Sequence, residues 1–261
     1  MSATTGPDPT RHLPRILCLH GGGTNARIFR AQCRGLVAQL KSEFRLVFAQ
    51  APFPSHAGSD VLSVYSQWGP FRRWLRWRPE HPLVSPLDII HAIDDSLEDA
   101  MARDDAAGAT GEWVALLGFS QGAKVSASLL YRQQQSRGKA HSKPWFRFAV
   151  LLAGRAPLIA LDPEMETSDL LPDAAQITDM PDYRERASHA QTPTLRVPNL
   201  HVHGLRDAGV ELHRQLYEDF CDPKSRRVLE WDGDHRVPLK ANDVAQVVAQ
   251  IRQLAAETGV Y

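Results

Sequence analysis

Three residues in this chain carry the means for nucleophilic chemistry: a serine, an aspartate and a histidine, each in a telling local pattern. Gly118-Phe119-Ser120-Gln121-Gly122 reads G-x-S-x-G, with an apolar run at 113–117 before it and a helical pattern at 121–134 after it. A serine on such a strand–turn–helix elbow lifts its hydroxyl above the edge of a sheet, where a base can reach it. The flanking glycines remove side chains where strand and helix backbones must approach. The plain alternative is a serine in an ordinary glycine turn.

His20-Gly21-Gly22-Gly23 closes the first apolar run. Attack on a carbonyl drives negative charge onto its oxygen, and two backbone N–H groups aimed at that point stabilise it. The expected donors are Gln121, directly after the serine, and Gly22 in this loop. A phosphate-binding loop is the rival reading, but neither G-x-G-x-x-G nor a following Lys-Ser/Thr is present. His20 reads as a structural residue at a strand end.

Asp207 follows an apolar run at 200–203, and His235 lies in Asp232-Gly233-Asp234-His235-Arg236-Val237-Pro238 after another at 227–231. The chain order Ser, Asp, His is that of the α/β-hydrolase triad. Asp207 would orient His235 and stabilise its imidazolium, and His235 would take the Ser120 proton. Asp232 and Asp234 are rival acids by proximity, though sequence neighbours of His235 reach its Nδ1 with difficulty while it faces Ser120. His201 and His203 share a strand face and could suggest a metal pair, but no carboxylate or cysteine set completes a site. No metal and no organic cofactor are expected.

These residues need a scaffold that carries loops on one sheet edge. Apolar runs at 15–19, 45–49, 113–117, 148–152, 200–203 and 227–231 alternate with helical patterns at 25–41, 86–101, 121–134, 211–220 and 243–256. That alternation indicates about six mostly parallel strands with helices on both faces. Ser85-Pro86 is a strong helix opening. The chain reads as a flexible segment at 1–14 and a single domain at 15–261. Segments 52–82 and 156–198 break the alternation and read as lid-like rims of the site.

Composition narrows the class. The 261 residues include 43% hydrophobic ones and carry zero formal net charge, so no global field favours nucleic acid or a membrane surface. No stretch is long and apolar enough to span a bilayer, and 1–14 does not resemble a signal peptide. Cys18, Cys33 and Cys221 are odd in number and widely spaced, so a reducing cytoplasm is the expected setting.

The stretches LCLHGGGTNARIF (17–29), APFPSHAG (51–58), GFSQGA (118–123) and GDHRVP (233–238) resemble the FSH-type fungal serine hydrolases. The 51–58 segment and QWGPFRRWLRW (67–77) are especially similar to members from fungal polyketide pathways, including those of lovastatin and citrinin. The resemblance runs from about residue 15 to 255. It places the family's nucleophile on Ser120, acid on Asp207, base on His235 and first-loop donor on Gly22 or a neighbour. It implies hydrolytic release, or editing, of a polyketide chain held by a synthase carrier domain.

Between positions 65 and 77 lie Tyr65, Trp68, Phe71, Trp74 and Trp77. Such a density suits the walls of an apolar acyl pocket, and Trp68, Phe71 and Trp74 are the expected substrate contacts; packing of the loop onto the domain is the alternative. Arg72, Arg73, Arg76 and Arg78 crowd the same stretch. They suggest a docking patch for an acidic acyl-carrier domain, against the plainer reading of a solvated face balanced by the acidic stretch 162–185. Three functions compete at this point: a thioesterase on carrier-bound polyketide, a carboxylester hydrolase on a small free metabolite, and a catalytically silent hydrolase fold that binds a ligand.

Overall fold

The computed structural model describes residues 8–136, 145–178 and 192–261. Six parallel strands form one sheet in the order β2-β1-β5-β6-β7-β8. They are β1 (Arg15–Leu19), β2 (Arg45–Ala49), β5 (Trp113–Phe119), β6 (Phe148–Leu152), β7 (Asn199–Gly204) and β8 (Arg226–Trp231). The expected strands at 15–19, 45–49 and 148–152 match in extent, and the others gain one or two residues.

Alternation along each strand builds two cores. In β1, Leu17 and Leu19 point into one cluster while Ile16 and Cys18 point into the other. The first face is covered by α4 (Pro86–Ala106), α5 (Gln121–Gln135) and α6 (Val210–Phe220). The second is covered by α1 (Ala26–Gln32), α2 (Arg34–Leu40) and α7 (Ala241–Glu257). Ser85 caps α4 by accepting from the Asp88 N–H, with Pro86 in the first turn. The single helix expected at 25–41 is two helices. Cys33 (φ −82°, ψ 9°) ends α1 and begins α2, and this break brings Gly35 against Val244 of α7.

The chain first runs outward from β1 to β2, then crosses to β5 on the other side of β1. The loops after β1 and β5 therefore diverge at a switch in strand order, where α/β sheets gather their ligands. Both lead to Ser120.

Segment 52–82 is structured. It holds the two-stranded hairpin β3 (Phe53–Pro54) and β4 (Arg72–Arg73), α3 (Ser59–Tyr65) and a 3₁₀ turn (Ser66–Trp68). The segment expected as a second lid starts as interior: Leu158, Ile159, Leu161 and Leu170 are fully buried in the first core. Its residues 179–191 lie outside the described ones, as do 179–185 of the acidic stretch. Residues 8–14, expected to be flexible, are tied down. Arg11 O accepts from Thr110 and Gly111 N–H, Pro14 O from Arg45 N–H, and Asp8 pairs with Arg45 at 2.5 Å. Residues 1–7 lie outside the description. No helix among the described residues is long and apolar enough to cross a membrane.

Candidate active site

Ser120 sits on the turn between β5 and α5 with φ 53° and ψ −115°. A non-glycine residue there is strained, and the turn holds it through the Ser120 N–H bond to Leu152 O at 2.8 Å. Two close approaches require glycine. A Cβ on Gly118 would lie 2.4 Å from Gly122 O, and one on Gly122 would lie 2.1 Å from Leu19 O.

The Ser120 hydroxyl donates to His235 Nε2 at 3.0 Å, and His235 Nδ1–H donates to Asp207 Oδ2 at 2.5 Å. The carboxylate on Nδ1 selects the tautomer that leaves Nε2 as acceptor. Asp207 is buried in the turn after β7, where its Oδ1 accepts the Gly209 N–H at 2.8 Å. Burial pushes the Asp207 carboxyl up, but the hydrogen bond and charge of His235, with the Gly209 N–H, outweigh it and hold it at about 2. The rival acids face away. Asp232 pairs with Arg206 at 2.5 Å and Asp234 with Arg236 at 3.3 Å.

The first loop is built on His20. Its Nε2 accepts the Ala51 N–H at 3.0 Å, and its Nδ1 lies 2.8 Å from Gly21 O. Burial pushes this imidazole down to about 4, so it stays neutral and structural. Gly22 and Gln121 both line a cavity of about 210 Å³ with Ser120 and His235. Among the described residues, no acceptor occupies either backbone N–H. A second cavity of about 400 Å³ meets the first at Gly22, Trp77, Ser120 and His235. The serine thus borders both chambers. The arrangement can deprotonate an alcohol, hold a carbonyl carbon over it and meet an oxyanion with two main-chain donors.

His201 and His203 point into the core rather than at a shared ligand. His201 Nε2 contacts Asn199 Oδ1 at 2.9 Å and Cys221 Sγ at 3.4 Å. Donor atoms of Asp207, His213 and His235 lie within 4.8 Å of one another. Asp207 and His235, however, are in hydrogen-bond contact, nearer than the roughly 3 Å that two ligands of one ion keep.

Comparison with known proteins identifies the family. The family described as Serine hydrolase (FSH1) matches residues 10–247. The chain belongs to that family. It is 67% identical to Esterase claE of Penicillium crustosum, over 97% of this chain and 96% of that one. It is 63% identical to Esterase citA of Monascus ruber, again over 97% and 96%. The Bacillus cereus carboxylesterase shares the fold at a TM-score of 0.52 and 15% identity, over 96% of this chain and 92% of that one. The protein is therefore an FSH1 serine hydrolase on an α/β-hydrolase sheet.

In this FSH1 hydrolase the aromatic segment does not sit as expected. Trp74 is a buried strut, not a pocket wall: its Nε1–H donates to His20 O at 2.8 Å and its ring packs on the His20 ring at 5.4 Å. Trp68 is held between Arg27, at 4.1 Å, and Tyr65. Neither Trp68 nor Phe71 lines either cavity among the described residues. The reason is the β3–β4 hairpin, which turns 72–75 inward against the first loop: Gly23 N–H bonds Arg72 O and Arg72 N–H bonds Thr24 O. Of this segment's aromatic rings, Trp77 and Tyr65 are the ones that reach the cavities.

Nor do the four arginines make one face. Arg73 is buried and lies over Phe53, Arg72 is bonded to Pro52 O, and Arg76 to His81 O and Pro79 O. Arg78 stacks on Trp77 at 4.3 Å. Two participants went unread in the sequence. The Gln121 side chain brackets Trp74 and Leu75, and His213 stands behind Asp207. His213 had a visible signal, being a histidine on the inward stripe that also carries Leu216 and Phe220.

Proposed function

We propose that this FSH1 hydrolase cleaves acyl thioesters, releasing or editing a polyketide chain held on a synthase carrier domain through an acyl-enzyme on Ser120. The observation that carries the reading is the Ser120–His235–Asp207 relay, at 3.0 and 2.5 Å, with Ser120 and His235 lining two cavities. In this reading His235 takes the Ser120 proton as Oγ attacks the carbonyl carbon. Gln121 and Gly22 N–H groups meet the oxyanion. The tetrahedral species collapses and expels the thiolate, to which His235 returns the proton. Water, deprotonated by His235, then attacks the acyl-Ser120 ester and frees the acid.

The two chambers suit this sequence, because one can hold the acyl chain while the other stays open to the leaving arm. We place the reaction in the cytoplasm, in keeping with Cys18, Cys33 and Cys221, all buried and free of disulfides. A second reading is hydrolysis of an oxoester in a small free metabolite. It draws on the printed names of relatives such as Esterase claE. Turnover of a matched pair, an acyl N-acetylcysteamine thioester and the corresponding ethyl ester, separates the two. A thioester preference of tenfold or more in kcat/KM supports release from a carrier. Equal or reversed preference assigns the enzyme to free esters. Failure of a fluorophosphonate probe to label Ser120 would instead mark a silent fold that binds a ligand.

A further inference from the structure

Behind Asp207, on the side away from Ser120, lies a buried imidazole that the proposed chemistry does not use. His213 is in the first turn of α6, with its N–H on Gly209 O at 3.2 Å. The Asp207–Gly209 turn that seats the carboxylate thus also starts the helix that delivers His213. His213 Nε2 lies 3.7 Å from Asp207 Oδ2, the same oxygen that meets His235 Nδ1. The ring centre is 5.9 Å from that of His235 and 5.7 Å from that of His203. The residue is fully buried, and neither ring nitrogen has a hydrogen-bond partner.

A buried polar group without a partner weakens a fold, and an apolar ring of similar shape would fill the space at no such cost. His203 is equally unpartnered, and what sets His213 apart is that its Nε2 faces the Asp207 carboxylate at 3.7 Å. We propose that His213 is a positioning residue for the relay: a neutral N–H dipole aimed at Asp207 that limits how strongly Asp207 holds the proton on His235. This rests on the reading of Ser120, His235 and Asp207 as the catalytic set.

The groups facing His213 are Asp207 in the loop after β7, His235 in the loop after β8, His203 on β7 and Arg155 beyond β6. Burial keeps the imidazole down at about 3, with Asp207 opposing and His235, His203 and Arg155 reinforcing. It is therefore neutral wherever His235 works, and acts as a fixed dipole rather than a switch. Its N–H end competes with the His235 imidazolium for the Asp207 charge. In a water-poor interior that competition is felt strongly. Removing it leaves more of the Asp207 charge for protonated His235, so more alkaline conditions are needed to free the base.

The test is kcat/KM against pH, with one p-nitrophenyl ester, for wild type, His213→Phe and His213→Gln, with Ser120→Ala alongside. His213→Phe is expected to keep or raise Tm. Its acid limb should move up by about half to one pH unit, a loss of roughly threefold to tenfold on the acid side. His213→Gln, which restores an N–H donor, should return the limb toward wild type. An unshifted limb in His213→Phe, or equal shifts in both variants, overturns the proposal. If the phenyl ring does not fit, His213→Leu carries the same test. Failure of both apolar variants to fold would show that the fold itself needs the imidazole, and would overturn the proposal as well. Activity surviving in Ser120→Ala would strike at the parent reading instead.

Discussion

Gln121 and Leu75 are joined by two hydrogen bonds of opposite sense: Leu75 N–H donates to Gln121 Oε1 at 3.1 Å, and Gln121 Nε2–H donates to Leu75 O at 3.0 Å. The same Oε1 also accepts the Trp74 N–H at 2.7 Å. A residue whose backbone is placed to meet an oxyanion thus uses its side chain to lock the neighbouring segment. Gly22 packs against the same side chain, since a Cβ there would come 3.2 Å from its amide oxygen. Gln121→Leu leaves two main-chain donors and one acceptor unanswered, at about 1–3 kcal/mol for each that stays dry. Tm should fall by several degrees, and kcat should fall more than KM rises, because the loosened donors act in the transition state. A wild-type Tm and kcat in Gln121→Leu would show that the bracket holds nothing.

Ser120→Ala should lower kcat by about 10⁴ to 10⁶-fold without loss of fold. Asp207→Asn should cost about 10⁴, since an amide favours the wrong imidazole tautomer. Asp232→Asn and Asp234→Asn should stay within a few-fold of wild type, because those carboxylates meet Arg206 and Arg236 at the surface. Steady-state kinetics on purified variants decide this. A more damaging change at Asp234 than at Asp207 would reassign the acid.

The two tryptophans at 74 and 77 should part company. Trp77 lines both cavities, so Trp77→Ala should lower kcat/KM for a long acyl chain by roughly tenfold relative to an acetyl ester. Trp74 supports the first loop from within, so Trp74→Ala should cost about 3–5 kcal/mol of stability and lower activity on both substrates alike. Urea unfolding and a chain-length series measure the two effects. Chain-length selectivity in a stably folded Trp74→Ala would put that ring back in the pocket.

What could be read in advance follows from range of interaction. The limits of β1 are legible because an apolar run is stopped by Pro14 and the following glycines. Ser120, Asp207 and His235 are legible because each stands just past a strand, and parallel strands bring those ends together. Trp74 is not legible in this way, because aromatic density records the need for burial but not its address. Whether a ring faces a cavity or the back of a loop is decided by the β3–β4 hairpin, a pairing of two-residue strands with no pattern long enough to see. The places of the arginines are hidden for the same reason. Their carbonyl partners at 52, 79 and 81 carry no side-chain signal.

Acid should unfold the protein well above the carboxylate range. Burial pushes His20 and His203 down to about 4 and His213 to about 3, and drives His201 well below its usual value. An unfolded histidine titrates near 6.5, so between about pH 6.5 and 4 the unfolded chain binds protons that the folded one refuses. Stability is then full above pH 6.5 and declines as pH falls. At pH 5 each such imidazole weakens folding by about 2 kcal/mol, and several together approach the 5–15 kcal/mol total of a typical domain. Carboxylates contribute little in this window, because unfolded ones titrate near 4. Chemical denaturation at pH 8, 7, 6 and 5 should show the fall, steepest below pH 6. His203→Phe isolates one contribution: both its ring nitrogens are buried without partners, so the phenyl ring removes a proton site and no hydrogen bond. The variant should match or exceed wild type at pH 7 and outlast it at pH 5 by about 2 kcal/mol more. A denaturation midpoint that stays level from pH 7 to 5, in wild type and variant alike, would mean that these imidazoles take up protons in the folded state.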